Sequence, residues 1–175
     1  MKIEEAIAAI DGMERDGVIS RYAIGGAVGA TFYLEPVATL DIDIFVALEP
    51  EVGSAIVSLD PILSYLAAHG GTIEGEYVVI GGWPVQFLPA GTALLSEALD
   101  EAVERDVGGI RARVFPAEHL AAIALQTGRA KDKARLLQFI EAGALDATRF
   151  QSILGRHNLV EAWAKFERQF LRETP

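Results

Sequence analysis

Tyr22-Ala-Ile-Gly-Gly-Ala-Val-Gly-Ala30 and, shortly after it, Thr39-Leu-Asp-Ile-Asp-Ile-Phe-Val46 read as a strand, a glycine-opened helix and a second strand bearing two carboxylates. Successive side chains of a strand point to opposite faces. Leu40, Ile42, Ile44 and Val46 therefore form one set, and Asp41, Asp43 and Phe45 the other. The apolar set is expected to face the core, which turns both aspartates to the opposite side. At ~3.3 Å per residue the two carboxylates start about 6.6 Å apart along the strand. That is too far to share a proton and near enough for their oxygens to converge on one metal ion. Two charges about 7 Å apart repel by roughly 0.6 kcal/mol in water and about 2.4 kcal/mol at an effective dielectric of 20. On open surface the pair costs little; in a cleft it favours a cation, and hard oxygen ligands select magnesium. Gly25-Gly26 adds an anion site, because a phosphate can approach backbone that carries no Cβ and meet the unpaired N–H groups of a helix start.

Gly25-Gly26, then about fifteen residues, then Asp41-Ile-Asp43 in an apolar strand resembles the nucleotidyltransferase superfamily, the polymerase-beta-like fold. Its members include antibiotic nucleotidyltransferases and the abortive-infection nucleotidyltransferase-like toxins. Asp-x-Asp alone is a weak signal, and its place after strand, glycine pair and helix makes it more specific. The bland alternative is a wet edge-strand face beside a tight turn. The succession of strands and helices reads as an α+β fold, a mixed sheet with flanking helices and then a C-terminal helical lobe, and the resemblance implies the same with a nucleotidyltransferase-like sheet. It implies that Gly25 and Gly26 hold the triphosphate of an NTP, ATP first among them, and that Asp41 and Asp43 bind Mg2+ and are catalytic. The implied reaction moves a nucleoside monophosphate onto an acceptor hydroxyl of a small molecule, a protein or an RNA end.

Three departures accompany it. Active relatives place a third carboxylate on a neighbouring strand, and the matching position in Trp83–Pro89 is Gln86. Glutamine donates hydrogen bonds or coordinates weakly, but it cannot take a proton from an attacking hydroxyl. Alternation with Val85 and Phe87 is expected to set Gln86 on the face of Asp41 and Asp43. Either Glu74, Glu76 or Glu118 supplies the missing charge, or the chain is a catalytically weakened member that binds nucleotide or a protein partner, as in a toxin–antitoxin pair. Toxin-like relatives carry Arg-x-Thr before the acids; Val37-Ala-Thr39 keeps only Thr39, which joins the nucleotide-binding set. Thr127-Gly-Arg-Ala-Lys-Asp132 resembles their Arg-x-Lys-Asp element, and Ala124 stands where they often have a lysine. Arg129 would then meet the triphosphate as a bidentate donor and Lys131 as a point charge, while Asp132 caps the helix and orients Arg129. A capped helix start with solvated charges is the competing reading of that motif.

The chain of 175 residues suits one domain or a core with a helical appendage, and the expected division is 1–115 as the α/β core and 116–175 as the lobe. A globule of this size buries about 70% of its unfolded surface and needs no covalent staples. The absence of cysteine excludes disulfides and thiolate metal sites, and fits a reducing, cytoplasmic setting. Met1-Lys-Ile-Glu-Glu does not read as a signal peptide, and no apolar run has the length of a membrane span. A net charge of −10 argues against an extended nucleic-acid surface. A protein partner or a homodimer stays open. Apolar periodicity predicts helices over 3–15, 26–34, 60–69 and 93–103. Asp60 is expected to cap the third of them, with Pro61 first inside it. A loop is expected over 48–53, hairpins around Gly81-Gly82 and Gly108-Gly109, and helices from Pro116 onward, with Trp163 in their core.

Overall fold

The computed structural model describes residues 2–36, 38–48 and 57–172. Internal contacts divide the chain into two compact units, Met1–Phe115 and Pro116–Pro175. The first holds α1 (Ile3–Arg15), β1 (Arg21–Ile24), α2 (Gly26–Ala30), β2 (Ile42–Ala47), α3 (Asp60–Ala68), β3 (Thr72–Glu74), β4 (Tyr77–Ile80), β5 (Trp83–Pro89), α4 (Ala93–Asp100), β6 (Val103–Val107) and β7 (Ile110–Val114). Its seven strands form one sheet in the order β3-β4-β5-β2-β1-β7-β6. The β2–β5 and β1–β7 pairs are parallel and the others antiparallel, so the sheet is mixed and the class is α+β.

Two-residue period in the strands and 3.6-residue period in the helices bring the apolar residues to one side of the sheet. Ile7, Ile10 and Met13 of α1 and Ile62 and Leu66 of α3 pack there on Tyr22, Ile24, Ile42, Ile44, Val46, Val85 and Phe87. Each such side chain gains roughly 1.5–3 kcal/mol from full burial, so this face carries the first unit's stability. On β2 burial alternates strictly, with Ile42, Ile44 and Val46 inward and Asp43 and Phe45 on the other face. α4 packs against β2 and β1, and its buried Leu94, Ala98 and Leu99 stand outside that core cluster.

Several boundaries differ from the expectation. Leu40 was expected in the core and is 88% exposed. The ladders of β2 open only at Ile42, opposite Val85, so the alternating pattern runs on past the point where neighbouring strands exist to make it mean anything. Asp41 consequently precedes the strand that holds Asp43. α2 is five residues long and continues as turns to Leu34. α3 has Leu59 at its N-cap, and Asp60 is its first helical residue without a capping bond. α4 stops at Asp100, because Val103 is already paired with Val114. The loop expected over 48–53 falls almost wholly outside the described residues, as does Val37. Both glycines of the Gly81-Gly82 turn have positive φ, +57° and +81°, as the two-residue type I′ hairpin between Ile80 and Trp83 demands.

The second unit holds α5 (Ala117–Thr127), α6 (Ala130–Glu141), α7 (Ala147–Arg156) and α8 (Val160–Phe170). Phe139, Phe150, Ile153, Leu154 and Phe166 are buried. Trp163 is half-buried and stands edge-on to Phe150 at 5.1 Å; both line an apolar cavity of about 210 Å³ with Phe139 and Leu145. Asp146 caps α7 by accepting the Arg149 N–H at 2.7 Å, and its own N–H donates to Glu118 at 2.9 Å. Asp146→Ala is expected to cost about 1 kcal/mol, read as a lower urea midpoint at unchanged slope.

Candidate active site

The site is built where β1 turns into α2 against β2. The Gly25 N–H donates to the Asp43 carbonyl at 2.9 Å, just beyond the Ile24–Ile44 pair that ends the β1–β2 ladder. A Cβ on Gly25 would stand 2.5 Å from the Phe45 ring and 3.2 Å from that of Phe115. Those rings pack at 4.8 Å between centroids, and Phe115 is fixed by donating its N–H to Ile24 and accepting from the Tyr33 hydroxyl, both at 3.0 Å. Gly26 has φ +56°, and a Cβ there would fall 1.8 Å from Oδ2 of Asp43. The two glycines are thus bare because the turn presses on Phe45 and on Asp43. Phosphate approach is one reason for bare backbone at this turn; the close fit to the chain's own side chains is a separate and sufficient one.

Asp43 pairs in register with Gln86 on the parallel neighbour β5. The β4–β5 register, Val78 with Val85, brings Tyr77 opposite Gln86 one step further on, and Glu74 pairs with Tyr77 on β3. Asp43, Gln86, Tyr77 and Glu74 therefore form a row across four adjacent strands on one face of the sheet. Gln86 donates from Nε2 to Oε2 of Glu76 at 3.0 Å. Asp41 stands just outside β2, and its charge acts on the Tyr77 phenol. Thr39 Oγ1 stands 3.2 Å from the Asp41 carbonyl and 3.5 Å from its Oδ1. Partial burial raises the Tyr77 phenol above its ordinary pKa, and the charges of Glu76, Asp41 and Asp43 raise it further. One phenol thus feels three carboxylates.

Of the residues singled out from the sequence, Gly25, Gly26, Thr39, Asp41, Asp43 and Gln86 gather at this corner of the first unit. Glu76 joins them through Gln86; it sat among the alternatives because a turn residue has no face that periodicity can assign. Tyr77 was missed altogether, since only the pairing of β4 with β5 brings it beside the acids. Glu118, offered as a substitute acid, is buried in the second unit, where it accepts from the Asp146 N–H and pairs with Arg149 at 3.6 Å. Arg129 and Lys131 lie at the start of α6. Arg129 grips the buried Asp132 through Nε at 2.6 Å and Nη2 at 3.3 Å, so Asp132 does orient Arg129. It does not cap α6: Arg129 holds that position with no side-chain capping bond.

Among solved structures, the chain is similar to an antigenic nucleotidyltransferase-like protein from Paracoccidioides brasiliensis, with a TM-score of 0.58 at 12% identity over 96% of this chain and 93% of that one. The chain has the nucleotidyltransferase fold. The antibiotic-resistance factor ANT(2'')-Ia shares it: its solution structure matches with a TM-score of 0.54 at 17% identity, over 95% of both chains. Its crystal structure with adenylyl-2''-tobramycin matches at 0.53 and 18%, over 89% of this chain and 94% of that one. No protein-family model matches the sequence, and no curated protein does. At these identities the likeness is one of nucleotidyltransferase fold, and any activity has to be argued from the residues. No helix among the described residues is long and apolar enough to cross a membrane.

Proposed function

We propose that this chain is a Mg2+-dependent nucleotidyltransferase that moves the nucleoside monophosphate of an NTP onto an acceptor hydroxyl. The observation that carries the reading is the contact of the Asp43 carboxylate with the Gly25-Gly26 turn, with Asp41 beside it, in a nucleotidyltransferase fold. The donor set fits magnesium: hard carboxylate oxygens, with the Thr39 hydroxyl beside Asp41. A bound magnesium ion supplies Lewis-acid stabilisation of phosphoryl oxygens. Asp41 and Asp43 would hold it, Thr39 would orient Asp41, and the backbone of Gly25 and Gly26 would contact the phosphates. For Arg129 and Lys131 as triphosphate ligands the reading rests on the sequence resemblance alone, as does the nearness to the abortive-infection toxins. ANT(2'')-Ia is solved with adenylyl-2''-tobramycin, which supports ATP as the first triphosphate to test.

ATP titrated calorimetrically with and without Mg2+ tests this. Asp41→Asn and Asp43→Asn are each expected to weaken metal-dependent binding by about tenfold or more; if both leave it unchanged, the site assignment is wrong. Incubation with alpha-labelled triphosphates and candidate acceptors then separates turnover from binding. Binding without turnover is the second reading, and neutral Gln86 in the row beside Asp43 favours it.

A further inference from the structure

We propose that the apolar cavity of the second unit is a binding site for one small, uncharged aromatic molecule. All the residues that line it lie between Phe139 and Leu171, and none belongs to the proposed nucleotide site. Phe139 and Phe150, 0% and 3% exposed, form its floor, and Trp163 forms a wall. That indole is held in place by the chain's own rings: it stands edge-on to Phe150 and lies nearly parallel to Phe166, at 5.7 Å and 16°. Aromatic surface fixed in advance binds without the cost of ordering side chains. Room is left beside these rings because the chain turns there on small residues. Gly143 follows α6 with φ +60°, where an L side chain is strained, and a Cβ there would meet nothing within 4 Å among the described residues beyond its chain neighbours. Ala147, the first residue of α7, adds only a methyl. The exposed members of the lining, Gly143, Ala147, Gln151 and Leu171, form the mouth.

Size and chemistry together name the occupant. An apolar protein cavity of about 150 Å³ stays dry and takes up benzene. The volume of about 210 Å³ therefore has room for a bicyclic ring system. A docked helix needs a groove that receives several anchors along its length, which this cavity is too small to supply. None of its lining residues carries a charge, so a phosphate, carboxylate or ammonium group would be desolvated there without a partner. The turn at its edge spends its donors on its own backbone: the Gly143 N–H goes to the Ile140 carbonyl at 3.0 Å and the Ala144 N–H to that of Phe139 at 3.1 Å. Among the lining side chains, the Gln151 amide and the Trp163 indole N–H are the polar groups. A fitting ligand is thus a flat ring that packs offset or edge-on against the three aromatic residues. It can carry one neutral polar group for the Gln151 amide at the mouth.

Indole, titrated calorimetrically into the full chain, tests the proposal. It should bind with a Kd below about 1 mM. Indole acetate, the same ring carrying an anion, should bind at least about tenfold more weakly. Ala147→Phe places a ring in the cavity from an exposed helix start, and should weaken indole binding by about tenfold or more at unchanged far-UV circular dichroism. Trp163→Leu keeps the wall apolar and removes its ring, and should weaken binding by about threefold to tenfold. A parent chain that takes up no indole overturns the proposal. Equal affinity for the two probes overturns it as well, since an uncharged pocket has to discriminate between them. Parental affinity in both folded variants puts the ligand elsewhere and has the same consequence. A parent chain that sediments as a dimer, and takes up indole only as the dimer dissociates, gives the cavity to a second copy and overturns the small-molecule reading.

Discussion

Gly26→Ala is expected to remove metal-dependent ATP binding while the sheet stays folded. The backbone at Gly26 has φ +56°, where an L side chain costs roughly 1–2 kcal/mol. The larger consequence is local. The new methyl would be placed 1.8 Å from Oδ2 of Asp43 and 2.7 Å from its Cγ, so the carboxylate has to swing away from the turn. The strand beneath it does not have to move, because Ile42 and Ile44 are anchored on the opposite face. Calorimetry should show ATP affinity with Mg2+ reduced by about a hundredfold, near the loss of a displaced ligand, and thermal unfolding should fall by about 3–8 °C. Parental binding in this variant would mean that the position of Asp43 against the turn is irrelevant to the ligand. Gly25→Ala does not separate the two effects so cleanly, since its methyl meets the packed Phe45 and Phe115 rings and strains the core as well.

The second large effect is on stability. Ile44 is fully buried at the centre of the sheet, opposite Ile24 on β1 and Phe87 on β5. Truncation to alanine leaves a cavity that two paired strands cannot close, and should cost about 2–5 kcal/mol. Against a total of roughly 5–15 kcal/mol for a folded domain, that is a large share. Urea unfolding should show a sharply lower midpoint at unchanged slope. Leu40→Ala is the control. Leu40 belongs to the same alternating apolar series in the sequence, yet at 88% exposure its loss should stay within about 0.5 kcal/mol. Equal losses at the two positions would mean that the apolar series continues into the core after all.

The contrast between Ile44 and Leu40 shows where the sequence argument stops. Alternation says which side chains share a face once a strand exists, but the strand lasts only while neighbours pair with it. β2 begins at Ile42 because its ladder with β5 opens there, and nothing in Thr39-Leu-Asp records that. The same limit shortened α2 and α4, whose apolar patterns run beyond their last helical turns. Turn residues are worse served still. Gly75-Glu76 reads as any surface turn, and the contact of Glu76 with Gln86 depends on how one hairpin lies beside another strand.

What local chemistry determined is the α+β class, the order of helices and strands, and the common face of Asp43 and Gln86. Those follow from the two periods, from glycine at the turns and from alternation along single strands, each a property of a few consecutive residues. What only the tertiary structure decided is the company these residues keep: Tyr77 within the field of Asp41, Glu76 at Gln86, and Asp43 pressed against Gly26. Such neighbours are ten or more positions apart and meet through strand order and register, and those are set by how the whole apolar face packs.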